Sequence, residues 1–136
     1  MSIIVVIEDD PNSARLASRL LERAGHQVIT AMDGETGLNA VSEHSPDLVL
    51  VDLGLPDFDG QTVIGLLHEQ PTPRPMSILA FTAWPEETAQ VMAEAYGCDG
   101  LISKPINTRT FADQVAVYLP KDDTTSMGSG SSQISL

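Results

Sequence analysis

Apolar residues fall along this chain in two rhythms. Short consecutive runs, Ile3 to Ile7, Val28 to Ala31, Leu48 to Val51, Ile78 to Phe81 and Leu101-Ile102, are β-branched or leucine-rich. The first, third and fourth are apolar at every position, the pattern of strands covered on both faces in a parallel sheet. Between these runs apolar residues recur three and four apart. Ala14, Ala17, Leu20, Leu21 and Ala24 make one stripe, with Arg15, Arg19, Glu22 and Arg23 on the other faces and Gly25 as a stop. A second helix is predicted from Gly34 or Glu35 to His44, presenting Leu38 and Val41, with Pro46 beyond its end. A third runs from Gly60 to about Glu69 through Val63, Ile64 and Leu67, and Pro71, Pro73 and Pro75 forbid its continuation. In the fourth, Pro85 suits the first helical position, Glu86 and Glu87 the positive end of the dipole, and Gly97 the residue after the last turn. The fifth is expected to open near Asn107 or Thr108 and to bury Phe111, Val115 and Leu119.

Five strands alternating with five helices predict an α/β fold, a flavodoxin-like doubly wound (βα)5 sandwich with parallel strand order 2-1-3-4-5. Residues 1–119 are expected to form this single domain. Residues 120–136, rich in Ser, Gly, Thr and Asp, read as a disordered polar tail.

Composition narrows the function. The chain has 136 residues, 42% of them apolar and 19% charged, enough for one globular core. Seven Lys plus Arg against nineteen Asp plus Glu leave a formal charge of -12, which gives no electrostatic reason to bind nucleic acid or an anionic membrane. Arg15, Arg19 and Arg23 are too sparse a stripe for a recognition helix. The lone Cys98 cannot pair within the chain and reads as a reduced, partly buried thiol, so a cytoplasmic location is expected. No apolar run nears the roughly twenty residues of a membrane span, and the amino terminus lacks a basic region and a cleavage site, so no signal peptide is expected.

In an open α/β sheet, ligands bind beyond the carboxyl ends of the strands, where the strand order reverses. Past the first strand stand Glu8, Asp9 and Asp10; past the third, Asp52; past the fourth, Thr82; past the fifth, Lys104 and Pro105. With strands one and three adjacent, the acidic group and Asp52 share one crevice. Carboxylates that close raise one another's pKa unless a cation neutralises them. An all-oxygen set without His or Cys favours Mg²⁺. Lys104 would then face an anion as a point charge, with the Thr82 hydroxyl on another anion oxygen. An anion held in this way beside a carboxylate free for attack is an arrangement for phosphoryl transfer onto that carboxylate, Asp52.

Four segments carry a resemblance: Val6-Ile7-Glu8-Asp9-Asp10, Val51-Asp52-Leu53-Gly54-Leu55-Pro56-Asp57-Phe58-Asp59-Gly60, Phe81-Thr82-Ala83 and Ser103-Lys104-Pro105-Ile106. In this order they resemble the receiver domain of bacterial two-component response regulators, over about residues 3 to 119. The resemblance implies that Asp52 accepts a phosphoryl group from a histidine kinase or a histidine phosphotransfer protein. It implies that Glu8 and Asp9 hold Mg²⁺ with Asp52 and the Gly54 backbone carbonyl. It assigns Thr82 as the switch hydroxyl, Ala83 as the small residue that leaves the phosphate room, and Lys104 as the phosphate-binding lysine, ahead of a cis Pro105. One position departs from the pattern: Leu101 stands where most receivers carry Tyr or Phe. Trp84, close to the site, is expected to shield an acyl phosphate.

Plainer readings stand beside these. Asp10 serves as a cap before Pro11, Asp57, Asp59 and Gly60 as turn and cap residues, and Thr82 as a cap of the fourth helix. His26, His44 and His68 share no metal spacing. A flavodoxin-like electron carrier is excluded because Glu8-Asp9-Asp10 would repel a flavin phosphate, and an aspartate-dependent phosphatase because Gly54 stands where it needs a second Asp. The expectation is a phosphoacceptor that turns over no separate substrate and acts on an unidentified protein target, by relay or by docking through the helix-four and strand-five face. The alternative is a phosphorylation-independent docking module.

Overall fold

Five strands, β1 (Ile3–Ile7), β2 (Gln27–Ala31), β3 (Leu48–Asp52), β4 (Ser77–Thr82) and β5 (Gly100–Ser103), alternate with five helices, α1 (Pro11–Arg23), α2 (Gly34–His44), α3 (Gly60–Glu69), α4 (Glu86–Tyr96) and α5 (Phe111–Ala116). This is a computed structural model that describes residues 2–73 and 75–120. The tail expected at 120–136 lies, Pro120 apart, outside the described residues. All pairings are parallel and the order is β2-β1-β3-β4-β5, as the alternation of elements predicts.

The pleat divides the core in two. Val5, Ile7, Val49, Val51, Ile78 and Ala80 point to one face, under Val41 of α2, Val63, Ile64 and Leu67 of α3 and Ala93 of α4. Ile4, Val6, Leu48, Leu50, Leu79, Phe81 and Ile102 point to the other, under Ala17 and Leu21 of α1 and Phe111 and Val115 of α5. Each of the Val, Leu, Ile and Phe side chains among them contributes about 1.5–3 kcal/mol on full burial. The layers approach closely: a side chain at Gly37 of α2 would collide with Ile7 of β1. Edge strands β2 and β5 are less covered than β1, β3 and β4.

Two aspartates close the amino-terminal edge of the sheet. Asp47 donates its N–H to the Ile3 carbonyl (2.8 Å) and accepts the Ile3 N–H on its carboxylate (2.8 Å). Asp99 brackets Ile78 in the same way, at 2.8 Å in both directions. Three more cap helices: Asp10 accepts from Asn12 N–H, Asp33 from Thr36 N–H and Asp59 from Thr62 N–H. Asp57 reaches across from the β3–α3 loop to accept the Gly34 (2.8 Å) and Glu35 (3.0 Å) N–H groups at the start of α2.

Several boundaries differ from those predicted. Asp52 and Thr82 are the last residues of β3 and β4, not the first beyond them, because each pairs across the ladder, Asp52 with Phe81 and Thr82 with Ser103. Pro85 stands one position before α4, in an extended conformation (ψ 142°) with its carbonyl accepting from Ala89. Gly97 ends α4 as predicted, in the left-handed region at φ 83°. Helix α5 is shorter than expected. The Asn107 side chain accepts from Arg109 N–H (3.0 Å), so a turn precedes the helix, and tight bonds from Tyr118 to Val115 and Leu119 to Ala116 end it. Leu119 still packs on the α1 and α5 side of the core from beyond the helix. Among the described residues, no helix is long and apolar enough to cross a membrane.

The Gly34 N–H, together with that of Glu35, holds the Asp57 carboxyl below the usual carboxylate range, and the Thr62 N–H does the same at Asp59. These donors are assembled only in the folded chain, so each contribution is complete above the unfolded pKa and is lost as the pH falls through the lower folded value. The melting temperature should therefore fall as the pH drops from about 5 to about 3, and Asp57→Ala or Asp59→Ala should melt lower at neutral pH but lose less on acidification. At Cys98, burial and then the nearby Asp99 charge push the thiol up to about 11. At pH 8 iodoacetamide should alkylate it roughly a hundredfold more slowly than a free cysteine, and urea unfolding should restore the ordinary rate.

Candidate functional site

The alternation that sorts the core also builds a polar patch above it. Glu8, Asp52 and Lys104 continue the parity of Val6, Leu50 and Ile102, the α1 and α5 face, at the carboxyl edge of the sheet. Glu8 follows β1 directly, and its N–H extends the pairing with β2 by donating to the Ala31 carbonyl (2.9 Å). The result is a carboxylate on each of two neighbouring central strands and an ammonium arriving from the edge.

Glu8 is fully buried, while Asp52 and Thr82 keep 8% and 2% of their surface. Lys104 pairs through Nζ with Glu8 Oε1, and stands 3.4 Å from Asp52 Oδ2. The other Glu8 oxygen accepts from Asp10 N–H (3.0 Å), and Asp52 Oδ1 accepts from Gly54 N–H (2.9 Å). Asp9 is exposed at the rim. One carboxylate oxygen from each of Glu8, Asp9 and Asp52 lies within 4.8 Å of the others, and none of the three donors is nitrogen or sulfur.

The two buried carboxyls are driven apart in acidity. Burial, and then the hydrogen bond with Asp52, raise Glu8 to about 7. Burial also pushes Asp52 up, but the Glu8 hydrogen bond, the Gly54 N–H and the Lys104 ammonium outweigh it and hold Asp52 below the usual carboxylate range. The crevice thus keeps Asp52 ionised, with Glu8 retaining a proton toward neutrality. Crowded oxygens with too little positive charge around them fit a hard divalent cation.

The other expected residues are placed as follows. Thr82 ends β4, and its hydroxyl accepts from Trp84 N–H at 3.1 Å. It therefore closes a tight turn and does not cap α4, whose first turn has no side-chain cap. Ala83 and Trp84 are exposed, Trp84 keeping 39% of its surface. Gly54 is exposed in the loop after β3. The Lys104–Pro105 bond is cis. Leu101 points away from the mouth and packs, partly buried, on the core beneath α3 and α4 with Tyr96 and Cys98. Asp10 caps α1, accepting also from the Ser13 hydroxyl (2.9 Å). His26 is half-buried, and His68 reaches the Gly97 carbonyl (3.1 Å), far from the carboxylates in the fold.

Two contributors were not legible in the sequence. Asp57, a turn residue by its sequence setting, ties the loop carrying Gly54 to α2. Phe81, apolar and in a buried strand by its sequence setting, has its ring under the Lys104 ammonium, 4.7 Å from Nζ to the centroid. An acidic residue facing a helix start and an aromatic on the same sheet face as the lysine are the available signals, and both need the strand order before they mean anything.

The chain is similar to known proteins over most of its length. The polar-differentiation response regulator DivK of Brucella anthropi is 30% identical over 116 residues, covering 85% of this chain and 94% of that protein. The transcriptional regulatory protein KdpE of Mycobacterium tuberculosis is 36% identical over 111 residues, 82% of this chain but 48% of KdpE, so the chain spans about half that relative's length. The solved structure of chemotaxis response regulator CheY4 of Vibrio cholerae superposes with a TM-score of 0.80 at 25% identity, covering 88% of this chain and 99% of that one. A family model described as the response regulator receiver domain matches residues 4–116, and with the strand order and carboxyl-edge site already in place, this chain belongs to the receiver domain family of two-component response regulators.

Proposed function

We propose that Asp52 is the phosphoacceptor of this receiver, taking a phosphoryl group from a histidine kinase or a histidine phosphotransfer protein in the cytoplasm. The observation that carries the reading is the meeting of an ionised Asp52 with buried Glu8 and the Lys104 ammonium at one mouth. A carboxylate oxygen of Asp52 forms the new P–O bond while the P–N bond of a phosphohistidine breaks, its electron pair returning to the imidazole. The Gly54 N–H fixes one Asp52 oxygen and the ammonium attracts the other, so the carboxylate is oriented before the donor arrives. Lys104 then offsets the charge of the incoming anion, and the Thr82 hydroxyl would donate to one of its oxygens. Ala83 leaves room beside it. Glu8, Asp9, Asp52 and the Gly54 carbonyl would hold Mg²⁺, which supplies charge neutralisation for the transferring group.

Residues 1–119 are proposed as the functional domain, with 120–136 as a polar tail. Phosphorylation adds nearly two negative charges at Asp52. Movement of Thr82 and Lys104 toward them would shift the population of the α4 and β5 face, for relay or for docking on a protein target. The receiver is a signalling protein and acts on no separate substrate. Leu101, tucked against the α3 and α4 core, favours a second reading, a docking module indifferent to phosphorylation.

Incubation with Mg²⁺ and acetyl phosphate, or with a phosphorylated phosphotransfer protein, should add one base-labile phosphoryl group by intact mass, and Asp52→Asn should add none. Failure with both donors would leave the docking module. In the phosphorylated protein, Trp84→Ala should shorten the half-life of the added mass several-fold, on the order of threefold, by admitting water to the acyl phosphate; an unchanged decay would reduce Trp84 to surface packing.

A further inference from the structure

Lys104 is the cation of this pocket, and the carboxylates are not its only partners. Its Nζ lies over the ring of Phe81, 4.7 Å from the centroid, within the range where an aromatic face attracts an ammonium. Phe81 is fully buried, and it is the ladder partner of both Asp52 on β3 and Ile102 on β5. Its ring stands on the same sheet face as Glu8, Asp52 and Lys104 and forms the floor beneath them. Phe81 is held in turn by Phe111 of α5, 99% buried, with ring centroids 6.2 Å apart and a tilt of 38°. The main chain fixes the other end of the lysine, Lys104 N–H donating to the Thr82 carbonyl at 2.8 Å.

We infer that Phe81 is a positioning residue for Lys104, its ring face holding the ammonium at the mouth through a cation–π contact, with Phe111 setting the ring from α5. The inference rests on the reading of Asp52 as the phosphoacceptor. A lysine ammonium on a four-carbon stem has many placements open to it, and with 16% of its side chain exposed Lys104 is largely stripped of water. The carboxylates attract it, but their charge is shared once a cation or an incoming phosphoryl group engages them. The ring's negative face is unchanged by those events, so it keeps the ammonium near the anion site through the transfer. Leucine or valine at this position would keep the core apolar but provide no such floor.

The chain has two lysines, Lys104 and Lys121, so lysine-selective isotope labelling resolves Lys104 against a single reference. The ring current should move the Lys104 ε-methylene protons upfield of those of Lys121, and Phe81→Leu should return them to the ordinary position in a protein that still melts cooperatively. Replacing Phe81 with mono-, di- and trifluorophenylalanine removes the negative face stepwise while keeping the shape. The rate of Mg²⁺-dependent phosphorylation by acetyl phosphate should fall along this series, by about three- to tenfold at trifluorophenylalanine, with the melting temperature unchanged. A rate that ignores fluorination, or an unshifted Lys104, overturns the inference through the contact itself. A shifted Lys104 in a protein that accepts no phosphoryl group from either class of donor overturns it through the acceptor reading, so the two failures are told apart.

Discussion

Everything in this molecule leans on one electrostatic crowding: carboxylates on adjacent strands, at the carboxyl edge of the sheet, facing a single ammonium. Glu8 is fully buried and Asp52 nearly so, and ionised groups taken out of water are costly unless charge and hydrogen bonds surround them. The Asp10 and Gly54 N–H groups and Lys104 meet part of that demand. The remainder emerges as the raised pKa of Glu8, a carboxyl that burial makes reluctant to give up its proton. A flexible scaffold would relieve such crowding by moving apart. Two core layers clamped on a five-stranded parallel sheet do not, and the polar residues are extensions of the same strands that carry the core.

The strong negative charge of the chain has a structural side as well. Asp10, Asp33 and Asp59 satisfy helix starts, Asp57 completes the start of α2 from a distant loop, and Asp47 and Asp99 bracket Ile3 of β1 and Ile78 of β4. Each sits where backbone donors would otherwise lack a partner. Acidity is thereby spread as local hydrogen bonding over both ends of the sheet, and only at the mouth does it concentrate beyond what the backbone absorbs. Asp57 joins the two uses, since the loop it ties to α2 is the one that presents Gly54 beside Asp52.

The face formed by α4 and β5 is built differently from what the family pattern suggests. Leu101 is anchored on the core beneath α3 and α4, while Tyr118, arriving after α5, lies against Gly100, where any side chain would collide with its ring. Aromatic bulk against Gly100 therefore comes from the turn after α5 and not from the strand. Through Phe111 and Phe81, α5 also reaches the lysine of the mouth. Helix α5 and the turn after it thus meet the floor of the proposed phosphoryl site through Phe111 and the sheet edge through Tyr118, a connection of packed rings and not of hinges.

Much of this was written in the order of the residues. Consecutive apolar runs and helical stripes carried the element count, the parallel order and the two-layer core, because burial on both faces leaves a strand no polar position to disguise it. Strand ends named Glu8, Asp9, Asp52, Thr82 and Lys104, since in this topology the carboxyl edge is where chemistry can stand. The exact ends of elements were less legible. Ladder partners drew Asp52 and Thr82 into their strands, and the Asn107 turn delayed α5, both through hydrogen bonds that no local pattern announces. Distances, burial and the parting of Glu8 from Asp52 in acidity belong to the tertiary structure alone. So do the reach of Asp57 to α2 and the ring of Phe81 under Lys104: these residues are far apart along the chain and meet only because the crossovers stack their strands and helices side by side, and a sequence states which groups exist but not which of them share a surface.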